Sequence, residues 1–104
     1  MKKKILQLLG MALFVGLLAG CGSNNEKTVV FSDAGWDSVK FHNAVAGLIA
    51  EKAYGLKVET MNGSTPIMEA ALVRGDVDVN MELWTDNVAT YQADKAAGGI
   101  VDLG

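Results

Sequence analysis

The chain has few of the residues that cross-link, rigidify or ligate. Its 104 residues include one cysteine, one proline and one histidine. A lone Cys21 cannot close a disulfide within the chain. A lone His42 excludes a histidine-rich metal site, and no carboxylate spacing recommends a site made of acids alone. No metal and no cofactor are therefore expected. Basic residues are scarce too, with nine lysines and arginines against twelve acids. Three of those nine are Lys2, Lys3 and Lys4; without them six remain, and the net charge falls to −6. Nucleic acid, which demands a basic footprint, is excluded as a partner.

What is present begins with an export signal. Lys2, Lys3 and Lys4 form a positive N-terminal region, and residues 5–19 are apolar except for Gln7, Gly10 and Gly16. At about 1.5 Å per residue, such a helix falls short of a hydrocarbon layer about 30 Å thick. It reads as the core of a signal peptide rather than a span. Its end, Leu18-Ala19-Gly20-Cys21, resembles the lipobox of bacterial lipoproteins, which implies cleavage before Cys21 and acylation of its thiol, palmitate included. The alternative is a signal anchor with a free thiol. The expected organisation is a signal peptide at 1–20, a lipid-anchored polar tether at 21–27 and a folded segment at 28–104. More than one acyl chain gives a stable anchor. The expected location is the cell envelope, on the outer face of the cytoplasmic membrane or tethered in the periplasm.

The folded segment alternates strand and helix signals. Residues 28–32 (TVVFS) are β-branched and aromatic, as a short buried strand requires. A turn through Asp33-Ala34-Gly35-Trp36 follows, and Asp37 or Ser38 can cap the next helix. Phe41, Val45, Leu48, Ile49 and Ala53 recur there at helical spacing, and Gly55 supplies a stop. Residues 56–61 read as a second strand. Ser64 and Thr65 offer hydroxyl caps before Pro66, opening a helix with Ile67, Ala70, Ala71 and Arg74 that ends at Gly75. Residues 76–83 (DVDVNMEL) alternate through Val77, Val79 and Met81, as a third strand does. A third helix is expected from Thr85 or Asp86 to before Gly98-Gly99, with a fourth strand starting at Ile100-Val101. The order β-α-β-α-β implies an α/β fold with a parallel sheet.

In open α/β sheets, ligands sit beyond the carboxyl ends of the strands. The loops at 33–37, 62–65 and 82–87 fit that position, and two of them hold both tryptophans, Trp36 and Trp84. Each indole is either a wall of a site or an anchor for its loop. Backbone N–H groups after Ser64 and Thr85 could receive an anion.

Residues 30–104 resemble the start of the glycine betaine, proline betaine and choline binding proteins of ABC importers. The likeness rests on FSDAGWDSVKFHN, YGLKVE, NGSTPI, RGDVDVNMELWTDN and AAGGIVDLG. It implies part of the first lobe of a type II periplasmic-binding-protein fold, whose two lobes close on a quaternary ammonium ligand held in an aromatic box. It further implies delivery to an ABC permease with its ATPase, for osmoprotection. By that likeness Trp84 and Trp36 are two walls of the box, while Ser64 and Thr65, which read first as caps, could also touch the ligand. The physics agrees: a quaternary ammonium has no N–H to donate, but it can rest on indole faces. Glu82, Asp86 and Asp37 could add negative potential, or be ordinary surface acids. The likeness also implies a second lobe, so residues 28–104 are expected to be an incomplete first lobe.

Two other classes fit the sequence less well. A small envelope hydrolase would need a catalytic group built from His42, Ser38 or Ser64 and scattered acids. No nucleophile elbow, P-loop or dinucleotide fingerprint is present, so no catalytic residues and no enzyme are expected. A structural or adaptor lipoprotein would instead expose apolar surface to a partner protein. His42, one helical turn from the presumed site, reads as structural or solvent-facing.

Overall fold

The computed structural model describes residues 26–104. The expected signal peptide, the lipid-bearing Cys21 and residues 22–25 of the tether lie outside the described residues. Strand β1 (Thr28–Asp33) forms where β-branched and aromatic residues favour extended backbone, and its Phe31 and Ser32 are buried. Helix α1 (Asp37–Tyr54) connects it to strand β2 (Lys57–Asn62). The two strands pair in parallel, from Thr28 opposite Lys57 to Asp33 opposite Asn62. Gly55 ends α1 in the left-handed conformation, φ +64°. Its N–H bonds Glu51 O, and the Leu56 N–H reaches Ala50 O. These bonds satisfy carbonyls that the helix itself leaves open.

The apolar recurrence on α1 is real, but it faces outward. Phe41, Val45, Leu48 and Ile49 are all exposed, whereas Val39, Asn43, Gly47 and Ala50 are buried. The reason is proximity. A Cβ on Gly47 would come within 3.3 Å of Val58 Cγ1, so only a narrow helix face fits against β2. Asn43 then reaches β1, its Nδ2 donating to Ser32 O at 2.7 Å.

Helix α2 (Thr65–Arg74) begins at Ser64 and ends at Gly75, φ +79°. Neither helix is capped by a side chain. Trp36, rather than Asp37 or Ser38, holds the position before α1, and the Ser64 hydroxyl makes no capping bond. Ile67 is exposed, and α2 buries Met68, Glu69 and Ala71 instead. Met68, Ala71 and Val77 form one apolar cluster with Val30 and Leu72 against it.

The expected third strand is reduced to a single parallel bridge between Phe31 and Val79. Of its alternating apolar residues Val77 is fully buried, Val79 is half-buried and Met81 is exposed, so the alternation holds only at its start. The polar residues between the valines prevent a regular ladder. Asp78 Oδ2 takes the Val30 N–H at 2.8 Å, and Asn80 Oδ1 takes the Glu82 N–H at 3.1 Å. Short polar side chains compete in this way with strand pairing. The bonds from Ser32 N to Val79 O and from Val79 N to Val30 O complete the attachment.

The third helix is also corrected. A 3-10 turn (Thr85–Asn87) and a short helix α3 (Tyr91–Ala96) are separated by Val88, whose φ −117° and ψ 100° are extended. Val88 turns inward to join Tyr91 and Ile100 in a second cluster, which Leu72 and Leu83 contact. Ile100 is buried without forming a fourth strand. A buried Glu69 ties α2 to this region by accepting the Thr90 hydroxyl at 2.8 Å. Among the described residues no helix is long and apolar enough to cross a membrane.

Candidate functional site

Two tight turns at the carboxyl ends of β1 and of the 76–80 segment build the site. After β1, Asp33 Oδ1 accepts the Gly35 N–H at 2.6 Å, and Gly35 adopts φ +92°. This positive φ suits glycine and delivers Trp36 directly onto the start of α1. After Val79, the Asn80 side chain folds the chain so that Glu82 and Trp84 follow in irregular backbone. The two indoles meet with ring centroids 5.7 Å apart and planes tilted by 52°. Aromatic pairs favour tilted or edge-on arrangements at such distances.

The indoles open onto a cavity of about 360 Å³ lined by Trp36, Ser38, Thr65, Glu82, Trp84 and Asn87. That volume lies in the range of roughly 300–1,000 Å³ typical of small-molecule sites. Trp84 remains 59% exposed and Trp36 38% exposed, so both present ring surface to solvent. Buried loop anchors would not do so.

Of the expected residues, Trp36, Trp84 and Thr65 converge on this cavity. Ser64 lies exposed at the start of α2 and does not line it. Asp37 also points away: its carboxylate is fully exposed, 3.7 Å from Lys40 Nζ. Asp86 is exposed in the 3-10 turn. The acid that does enter is Glu82. Its Oε1 accepts the Trp84 indole N–H at 3.0 Å. Its Oε2 is buried and lies 3.6 Å from His42 Nδ1. The Trp84 N–H, and after it the Ser38 hydroxyl, hold the Glu82 carboxyl below its ordinary range.

Sequence alone leaves Glu82 as one of three acids able to add negative potential, Ser38 as a cap candidate and Asn87 without a role. Ser38 and Asn87 enter through tertiary placement. Among the described residues no group of three or more histidines, cysteines or acids could hold a metal ion. A second concavity, of about 430 Å³ beside α1 and β2, has no aromatic side chain in its lining and so offers no ring face to a cation.

Residues 27–104 match the substrate-binding domain of ABC-type glycine betaine transport systems. No curated protein and no solved structure matches the chain significantly. The α/β arrangement described above is part of the type II periplasmic-binding-protein fold of that family. With three quarters of its length inside the match, the chain belongs to the family of substrate-binding domains of ABC-type glycine betaine transporters.

Proposed function

We propose that this protein captures a quaternary ammonium osmoprotectant for an ABC importer, glycine betaine first, then proline betaine, choline or carnitine. The family binds small quaternary ammonium ligands and works with a permease and its ATPase, binding rather than transforming its substrate. The reading for this chain is supported chiefly by one observation, the exposed Trp36–Trp84 pair at the mouth of a small cavity. A methylated ammonium spreads its charge over carbon and has no proton to donate. Indole faces suit it because each cation–π contact contributes about 0.5–2 kcal/mol, depending on desolvation. Thr65 lines the same space; Ser64 and Asp37 would need a loop movement to touch a ligand there.

In this reading residues 1–20 are removed on export and Cys21 carries the lipid. Residues 21–27 then form the tether, and residues 28–104 supply part of the first lobe. Substrate-binding proteins of ABC importers work outside the cytoplasmic membrane and in association with it. Lipid on Cys21 would provide that association for this chain. The ligand would enter at the two indoles, be enclosed by a second lobe, and pass to the permease.

Titration of tryptophan fluorescence with glycine betaine tests the proposal. Saturable quenching is expected, and Trp84→Ala should weaken binding about tenfold or more, because one desolvated indole contact is worth about 2 kcal/mol. Unchanged affinity in Trp84→Ala would overturn the assignment. A partner-protein role is favoured by a separate feature, the outward apolar stripe of Phe41, Val45, Leu48 and Ile49. Concentration-dependent self-association or partner capture that is lost in Leu48→Glu, without any betaine response, would select that role instead.

A further inference from the structure

We propose that Glu82 is a positioning and charge-selecting residue of this cavity: it orients the Trp84 indole and keeps a negative charge beneath the position of a bound cation. The inference rests on reading the cavity as a cation site, and it adds a positioning role and a selectivity to that reading.

The geometry separates two jobs for the two carboxylate oxygens. Oε1 accepts the Trp84 Nε1–H at 3.0 Å. A charged acceptor makes such a bond shorter and stronger than a neutral one does. This matters because Trp84 is more than half exposed. An exposed ring with few packing neighbours is free to change rotamer, and a cation–π wall is useful only when its face is held toward the ligand. Glu82 can do the holding because it is itself fixed. Its backbone N–H is bound by Asn80 Oδ1 at 3.1 Å, and its side chain is only 17% exposed.

Oε2 is buried and closes no hydrogen bond. The Ser38 hydroxyl, next after the Trp84 N–H, helps to hold the carboxyl below its ordinary range, and His42 Nδ1 stands at 3.6 Å, beyond ordinary bonding reach. Among the described residues no lysine or arginine lines the cavity. The charge is therefore held near the indoles without a permanent cation to cancel it. A quaternary ammonium on Trp36 and Trp84 gains from that field, and a neutral molecule of the same shape does not.

Two readouts on the full chain test the two jobs separately. The first needs no ligand: the Trp84 indole ¹H–¹⁵N resonance, assigned by its loss in Trp84→Phe. Glu82→Ala should shift it toward the free-indole position and speed its solvent exchange, whereas Glu82→Gln, which keeps an acceptor oxygen, should largely restore it. An unchanged resonance in Glu82→Ala overturns the positioning role, because a merely structural residue would not move this signal. The second readout is the affinity ratio of choline to its neutral isostere, 3,3-dimethylbutanol. Glu82→Gln should cut that ratio roughly tenfold while both compounds still bind. A ratio equal to that of the wild type overturns the charge role. A wild-type chain that binds neither compound overturns the charge role together with the proposed function, and the indole resonance still decides the positioning role.

Discussion

Residues 28–75 and residues 76–104 are held together in different ways. The first stretch has a regular parallel ladder, two helices that end at glycines, and a close fit of Gly47 on Val58. The second has one isolated bridge, a 3-10 turn and one short helix. Besides backbone bonds to β1 and the Val88, Tyr91 and Ile100 cluster, side-chain bonds order it: Asp78 to Val30 and Thr90 to Glu69 in the first stretch, and Tyr91 and Lys95 to Asp102. The difference bears on function, because the cavity takes Trp36, Ser38 and Thr65 from the first stretch and Glu82, Trp84 and Asn87 from the second. Regular elements provide a fixed wall. The irregular stretch provides an acid and an indole whose positions depend on a few hydrogen bonds.

The contrast predicts unequal damage from mutation. The largest effect should come from Met68→Ala, which removes a fully buried side chain from the cluster that joins α2 to Val77 and Val30. Truncations of this kind cost about 2–5 kcal/mol. Urea denaturation should show the loss as a lower midpoint affecting both stretches together. If Met68→Ala loosened only residues 76–104, the two stretches would be separate cooperative units rather than two textures of one core.

A smaller and more local effect is expected at Asp78. Its carboxylate occupies the Val30 N–H that a regular third strand would use. Asp78→Ala should cost about 1 kcal/mol, the usual net value of one partly exposed hydrogen bond. Amide exchange at Val30 should accelerate while β2 keeps its protection. If Val30 stays protected, the backbone has closed the ladder once its competitor is gone, and the irregularity of the second stretch is set by that one side chain.

The same contrast explains what could be read from sequence. Residues 28–75 are governed by local rules: β-branched runs, Gly55 and Gly75 as stops, and Pro66 inside the first turn of a helix. Element order and parallel pairing followed from these. The buried face of α1 was not legible, because Phe41, Val45 and Leu48 make a better apolar stripe than Val39, Gly47 and Ala50, which the sheet selects by closeness. In residues 76–104 the alternation of DVDVN was visible, yet the aspartates and the asparagine redirected the backbone bonds. At the cavity, the placement of Trp36 and Trp84 after strands pointed to the mouth of the sheet. Asp37 and Ser64 are neighbours in sequence of lining residues but do not line the cavity: Asp37 opens α1, where successive side chains turn by about 100°, and Ser64 precedes α2 in extended backbone.

The two stretches also differ in how acid should act on them, and Asp102 gives the sharpest case. It accepts the Lys95 ammonium at 2.7 Å, the Tyr91 hydroxyl at 2.9 Å and the Gly104 N–H at 3.2 Å. Together these pull its pKa down from 3.8 to about 2, with Lys95 contributing most. A carboxyl depressed in the folded state adds stability that is complete above the unfolded value and vanishes as pH falls through the folded one. The C-terminal residues should therefore stay attached at pH 4 and come free only as pH approaches 2. At the alkaline end, Tyr91 and Lys95 are both raised by Asp102, so their share is complete below their unfolded values and is lost only as pH rises through the higher folded ones. Nuclear magnetic resonance shifts of the Tyr91 ring and of the Val101 and Leu103 methyl groups, followed from pH 7 to pH 2, measure this directly. Release with a midpoint near 4 would mean that Asp102 titrates like an isolated side chain. Hydrogen bonds between side chains would then be too weak to order the second stretch, leaving the Val88, Tyr91 and Ile100 cluster to do so.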